Sequence, residues 1–108
     1  MSRKRGDIAE DEAVAFLLQN GFRVVERNFT CRFGEIDIVA EKDGTLHFVE
    51  VKSGSGFEPV YNITKAKLSK LYRSIDRYLQ KRGVQMPYQL DAMIIKKSSV
   101  ELLENITL

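Results

Sequence analysis

Residues 34–52 read GEIDIVAEKDGTLHFVEVK, and this stretch decides the fold. Two hydrophobic runs flank Asp43-Gly44, the dipeptide that most readily supplies the two positive φ angles of a type I′ turn. Both runs are rich in β-branched residues, which favour strands. The stretch therefore predicts a β-hairpin whose register can be counted outward from the turn.

The register that this turn sets brings acidic residues together. Counted outward from a Lys42–Thr45 pair, the opposed pairs are Val39 with Phe48, Asp37 with Glu50, and Glu35 with Lys52. Because side chains alternate between faces, all six are predicted to share one face. The other face takes Ile36, Ile38, Val49 and Val51. Opposed carboxylates about 5 Å apart repel by on the order of 3 kcal/mol at an effective dielectric constant of about 20. A cation, a raised pKa or a splayed geometry would relieve this repulsion.

A solvent-exposed face is the alternative interpretation of the same pattern. Exposed charge on one hairpin face is ordinary, and a cross-strand Glu35–Lys52 ion pair would contribute little. Val39 and Phe48 weigh against this alternative, because both are apolar and are predicted to be buried beneath another helix or strand. The first helix is predicted to supply part of that cover and to carry Glu10 at the margin of its apolar stripe. The alternative for Glu10 is a solvated acid in the first helical turn.

The hydrophobic pattern gives the order of the remaining elements. The predicted elements are a helix in 6–22, a strand in 22–29, the hairpin, a second helix capped by Asn62 or Thr64, a strand in 88–95 and an edge strand in 100–107. A glycine-rich segment separates the hairpin from the second helix. This order predicts an α/β fold.

The composition limits the class of protein. With 108 residues, of which 44% are hydrophobic and 30% charged, the chain is typical of one globular domain and not of a disordered segment. Its single cysteine, Cys31, cannot form an internal disulfide, which favours a reducing cytoplasm. The sequence predicts neither a membrane span nor a signal peptide. We therefore expect a single cytoplasmic domain over residues 1–108.

The net charge of +2 is small, so the distribution of charge decides whether an anionic partner is expected. Basic residues gather at the start of the chain and on the second helix. The candidate nucleic-acid contacts on that helix are Lys65, Lys67, Lys70 and Arg77. Such a face is ordinarily only solvated, and the alternative is a row of cations that follows a phosphate backbone. The lone His47 is expected to be structural, since no second histidine is present to share a metal.

Asp37, Glu50 and Lys52 form the pattern D-x12-E-x-K, with Glu10 on a preceding helix. This pattern resembles the PD-(D/E)xK nuclease superfamily. More narrowly, GDIAEDEAVAFLLQNGF, GEIDIVAEKDGTLHFVEVK and ITKAKLSKLYRSIDRYL resemble the YraN family, small bacterial proteins related to Holliday-junction resolvases. The resemblance covers nearly the whole chain. It implies a restriction-endonuclease-like core of helix, three strands, helix and strand, with a central mixed β-sheet flanked by helices.

The resemblance also implies roles for individual residues. Asp37, Glu50 and the backbone carbonyl of Val51 correspond to the ligands of a Mg²⁺ or Mn²⁺ ion. Lys52 corresponds to the active-site lysine, and Glu10 to a helix-one acid that holds this lysine or a second metal. The implied activity is metal-dependent hydrolysis of DNA phosphodiester bonds, with branched or processed DNA as the substrate. A two-fold dimer is the assembly that a resolvase normally uses.

Two departures from the family pattern bear on substrate binding. The family often has an arginine shortly after E-V-K, where this chain has Gly54, and its R-F-D strand appears here as Gln89-Leu90-Asp91. The alternative function is therefore a nuclease-fold adaptor that contacts nucleic acid or a protein without cutting. Glu35 matches the acid of the family's G-E-I-D segment, but no role follows for it.

Overall fold

The structure, a computed structural model, describes residues 5–53 and 64–106, with side chains from residue 8 onward. Its elements are α1 (Arg5–Gln19), β1 (Arg23–Cys31), β2 (Gly34–Lys42), β3 (Thr45–Ser53), α2 (Lys65–Arg82), β4 (Tyr88–Lys96) and β5 (Ser99–Leu103). The strands form a sheet in the order β1-β2-β3-β4-β5, in which β3 and β4 are parallel and the other neighbours antiparallel. The predicted α/β fold with a mixed sheet and flanking helices is confirmed.

Within the described ranges, neither helix is long and apolar enough to cross a membrane. The cytoplasmic location, the single domain and the two-fold dimer stay predictions. Gly54 and the candidate cap Asn62 lie outside the described residues.

The predicted hairpin turn is present between β2 and β3. Asp43 has a φ angle of 52° and Gly44 one of 78°, both positive as a type I′ turn requires. The register counted from this turn is confirmed as far as the Ile38–Val49 pair. The turn therefore sets the strand pairing in its own neighbourhood.

α1 packs on one face of the sheet. Its Ala13 and Leu17 are fully buried in a cluster with Ile38, Val49 and Met93. Small alanines on the inner side of the helix let it approach the strands closely. This cluster is the core on the α1 side.

α2 packs on the opposite face. It begins at Thr64, whose hydroxyl accepts a hydrogen bond from the Lys67 N–H at 3.2 Å. Val39 and Phe48 are buried in a cluster with Tyr78 of this helix. The expectation that the first helix covers these two residues is wrong, because the β3–α2–β4 connection between parallel neighbours carries α2 across their face.

The alternation of side chains between the faces breaks in β1 and β2. Ile36 belongs to the cluster under α2, whereas Ile38 belongs to the cluster under α1. On β1, Asn28 has a φ angle of 56°, and the β1–β2 pairs pass over Asn28 and Asp37. The prediction that Ile36 and Ile38 share one face of the sheet is therefore wrong. The irregular backbone at this position interrupts the alternation of side chains between the two faces. Asparagine is among the few residues that tolerate this left-handed conformation.

Candidate functional site

The β2–β3 ladder opens at the candidate site. Its last pair on this side is Ile38 with Val49. Beyond it, Asp37 Oδ2 accepts a hydrogen bond from the backbone N–H of Val51 at 2.8 Å. A side-chain carboxylate thus replaces a backbone carbonyl as the partner of a strand N–H. The predicted opposition of Asp37 and Glu50 as a ladder pair is therefore wrong, but the two half-buried acids remain close, and of the three predicted outcomes the raised pKa is the one that their burial and mutual repulsion produce.

Glu50 and Lys52 follow on β3. Lys52 Nζ lies 3.7 Å from Glu50 Oε1. The second oxygen, Glu50 Oε2, is buried and has no hydrogen-bond partner among the described residues. Leaving a buried polar group unpaired costs about 1–3 kcal/mol, and more for a charged group. The predicted Glu35–Lys52 ion pair is wrong, since the ammonium group of Lys52 approaches Glu50 instead.

Three further carboxylates converge beside this pair. Glu10 from α1 and Glu35 and Asp37 from β2 each offer an oxygen, and these oxygens lie within 4.8 Å of one another. Glu10 is buried at the edge of the α1 core, whereas Glu35 is exposed. Asp37 therefore has acidic neighbours from both helix and strand.

Arg27 is a member of the site that the sequence did not indicate. Its guanidinium lies 2.9 Å from Asp11 Oδ1 and 3.4 Å from Glu10 Oε1. Of the two roles implied for Glu10, the contact with Lys52 is not formed among the described residues, because the cation beside Glu10 is Arg27 from β1. Nothing in the strand pattern around Arg27 distinguishes it from an exposed residue of β1, so local sequence carries no signal for this contact.

Burial shifts the protonation of the two central acids. It raises the pKa of Asp37 to about 6, against the Val51 N–H, which lowers it. Burial also raises the pKa of Glu50 to about 7, and the charge of Asp37 adds to this rise. Burial likewise raises the pKa of Glu10, although Arg27 opposes it. Among the described residues, the Val51 N–H and Lys52 offset only part of the cost of ionising these acids, and a divalent cation is the kind of group that would offset the rest.

A pocket of about 220 Å³ opens over Glu50 and Lys52. Its charged residues are Glu35, Glu50 and Lys52 from the sheet and Lys67 and Lys70 from α2. Two of the four predicted nucleic-acid contacts therefore face the candidate catalytic residues. Arg77 lies farther along α2 at a second cavity, and Lys65 is exposed and lines neither.

Comparison with known proteins gives a match over most of the chain. A family model described as "Uncharacterised protein family UPF0102" matches residues 9–95. A UPF0102 protein of Helicobacter hepaticus is 54% identical over 107 residues, which cover 99% of this chain and 97% of the relative. UPF0102 proteins of Wolinella succinogenes and Sulfurimonas denitrificans are 50% and 52% identical, with 100% of both chains covered. The matched range contains every candidate catalytic residue.

Proposed function

The chain belongs to the uncharacterised protein family UPF0102, which is the YraN family, and we propose that it is a metal-dependent endonuclease that hydrolyses DNA phosphodiester bonds. The observation that carries this proposal is Glu50, whose buried oxygen has no partner among the described residues while Asp37 and Lys52 lie beside it. The names of the relatives assign no activity. The support therefore comes from the site itself.

The residues present fit a hard divalent cation. Mg²⁺ and Mn²⁺ prefer oxygen ligands, and we assign Asp37, Glu50 and the backbone carbonyl of Val51 as the donors. A dication would satisfy the unpartnered Glu50 oxygen and offset the repulsion between the two acids. When bound, such an ion lowers the pKa of a coordinated water and stabilises negative charge on a phosphate.

The other polar residues act around the substrate. The ammonium group of Lys52 lies 3.7 Å from a ligand carboxylate, where it can neutralise charge on the scissile phosphate or orient the attacking water. Lys67 and Lys70 face the same pocket and supply contacts to neighbouring phosphates. Glu10, held by Arg27, is a positioning residue for the acidic cluster.

Cleavage of a DNA panel tests the proposal. The panel contains single-stranded, duplex, flap and four-way-junction DNA with Mg²⁺ or Mn²⁺, and branched or processed forms are the expected substrates. Wild type is compared with Lys52→Ala and with Lys97→Ala. Lys97 is exposed in the turn between β4 and β5, so the control removes the same charge outside the site. We expect wild type and the control to cut, and Lys52→Ala to cut at least about 100-fold more slowly.

Two results would count against the proposal. Cutting by Lys52→Ala at the wild-type rate would contradict the role of this lysine. Failure of folded wild type to cut any DNA in the panel with either metal would overturn the endonuclease and favour a nuclease-fold protein that binds without cutting. Melting curves of all three proteins control for folding.

A further inference from the structure

A larger cavity adjoins the candidate site. It has a volume of about 820 Å³ and lies between the β1–β2 turn and α2. Phe33, in that turn, lines both this groove and the pocket over Glu50 and Lys52. The charged residues of the groove are Arg32, Arg73, Arg77 and Lys81, with Asp76 as the acid. Cations therefore predominate on a concave surface that borders the candidate site at Phe33.

Among the described residues, no acid lies within ion-pair distance of these four cations. Other arginines of the molecule are paired: Arg23 with Glu41, and Arg82 with Glu26. Within residues 5–53 and 64–106, none of the four groove cations forms an ion pair. Unpaired cations gathered in one concavity raise the local positive potential, which attracts a polyanion.

Phe33 gives the groove a stacking surface. Its ring is half-buried, and the guanidinium carbons of Arg32 and Arg73 lie 4.8 and 5.8 Å from its centroid. Aromatic rings and guanidinium planes both stack on unpaired bases, whereas duplex bases already stack on each other. A ring among cations along a groove is the combination that single-strand-binding proteins use.

We propose that this groove binds a single-stranded segment of DNA that continues from the strand held at the candidate site. The identity of that neighbouring site rests on the proposed function. Phe33 stacks on a base beside the scissile phosphate, and the cations along α2 contact the phosphates that follow. The substrate class is therefore DNA with an unpaired strand, such as a flap or a free single strand, in preference to continuous duplex.

The chain contains its own reporter for this groove. Cys31, its only cysteine, lines the groove and is partly exposed. Burial raises the pKa of this thiol, but hydrogen bonds with Ser74 and with the backbone of Phe33 and Gly34 outweigh burial and lower it. A lowered thiol pKa favours alkylation by iodoacetamide at neutral pH. The rate of Cys31 alkylation therefore reports whether DNA occupies the groove.

The experiment follows Cys31 alkylation by mass spectrometry in EDTA. Wild type is mixed with oligodeoxythymidylate of about 15 nucleotides or with a duplex of the same length. We expect the single strand to slow alkylation severalfold and the duplex to slow it much less. EDTA removes divalent metal and so prevents metal-dependent cleavage, which means that this experiment measures binding alone. A failure to bind in the groove can therefore be distinguished from a failure to cleave at the neighbouring site.

Variants test which residues provide the binding. Phe33→Ala is expected to weaken single-strand binding about 10-fold, the loss of one base-stacking contact. Arg73→Glu should also weaken it, whereas Lys97→Glu makes the same charge change outside the groove and should not. Arg73 is exposed, so its variant keeps the test intact if Phe33→Ala does not fold. Unchanged alkylation at the highest oligonucleotide concentration, or equal protection by duplex, would overturn the proposal.

Discussion

Asp91 and Glu50 are carboxylates on the neighbouring strands β4 and β3, and the fold buries them in opposite ways. Asp91 is 0% exposed and accepts hydrogen bonds from His47 Nδ1 at 2.6 Å and from Gln89 Nε2 and the Asn105 N–H, each at 2.9 Å. Glu50 has a buried oxygen without a partner among the described residues and a second acid, Asp37, nearby. Among the described residues, both oxygens of Asp91 therefore have hydrogen-bond donors, whereas one buried oxygen of Glu50 has none.

The difference shows what distinguishes a structural acid from a candidate ligand. Burial alone does not, because Asp91 is the more deeply buried of the two, and burial of a charge costs several kcal/mol unless donors compensate it. At Asp91 the donors join β3, β4 and the segment after β5. His47, Asp91 and Glu104 also bring ligand-type atoms within 4.8 Å, yet His47 and Asp91 already satisfy each other. The missing donor is therefore the informative observation at Glu50.

The largest effect should come from breaking the satisfied site. Asp91→Ala removes the acceptor of three hydrogen bonds, one of which comes from the buried His47, so we expect it to lower the free energy of unfolding by about 3–5 kcal/mol. Asp91→Asn keeps an acceptor oxygen for the Asn105 N–H and should lose only about 1 kcal/mol. Urea unfolding measures both values. A loss below about 1 kcal/mol for Asp91→Ala would mean that this carboxylate does not join the strands.

The hairpin and the order of elements could be predicted from the sequence because their signals are local. Asp43-Gly44 sets the pairing near the turn, since the turn and its flanking residues are adjacent in the chain. Farther out the prediction failed at Asp37, whose carboxylate leaves the ladder to accept the Val51 N–H. An alternating pattern of apolar and polar residues does not show where the backbone departs from strand geometry, as it does at Asn28.

The candidate site could be predicted in residue type but not in geometry. The spacing of Asp37, Glu50 and Lys52 puts them near one end of the hairpin, and they do lie together there. The contact between Arg27 and Glu10 depends on how α1 packs across β1. The donors around Asp91 depend on the parallel pairing of β3 with β4. Such contacts join residues far apart in the chain, and residue spacing does not record them.

A smaller effect should sharpen the comparison through metal binding. At a Mg²⁺ or Mn²⁺ concentration about 100 times the Kd, wild type should gain about 2.7 kcal/mol in its free energy of unfolding. Asp37→Asn keeps an acceptor for the Val51 N–H but loses the charged ligand, so this gain should disappear. Asp91→Asn, the matched change at the satisfied site, should retain it. Thermal unfolding with and without metal measures the gain, and an equal gain in Asp37→Asn would contradict the ligand assignment.

The pH dependence of the metal-free protein provides the third test of the comparison. The pKa values of Asp37 and Glu50 are raised to about 6 and about 7, so the folded protein retains protons that the unfolded chain releases. Stability should therefore fall as the pH rises from about 4 to 7, because folding retains protons that the unfolded chain has already lost over this range. Glu50→Gln cannot ionise at this position, so its stability should fall less over the same range. Urea unfolding across this pH range measures the difference between the two proteins.

Protons and a metal ion should compete for the carboxylate oxygens of Asp37 and Glu50. The pH dependence of metal binding therefore provides a second test of this prediction. Metal binding needs the ionised carboxylates, so the stabilisation by Mn²⁺ should grow over the pH range in which metal-free wild type loses stability. Taking the difference between wild type and Glu50→Gln removes the contribution of every acid that does not interact with Glu50, and leaves that of Glu50 and its neighbour Asp37. Parallel stability curves for the two proteins would show that Glu50 is ionised in the fold at little cost, and the contrast with Asp91 would then fail.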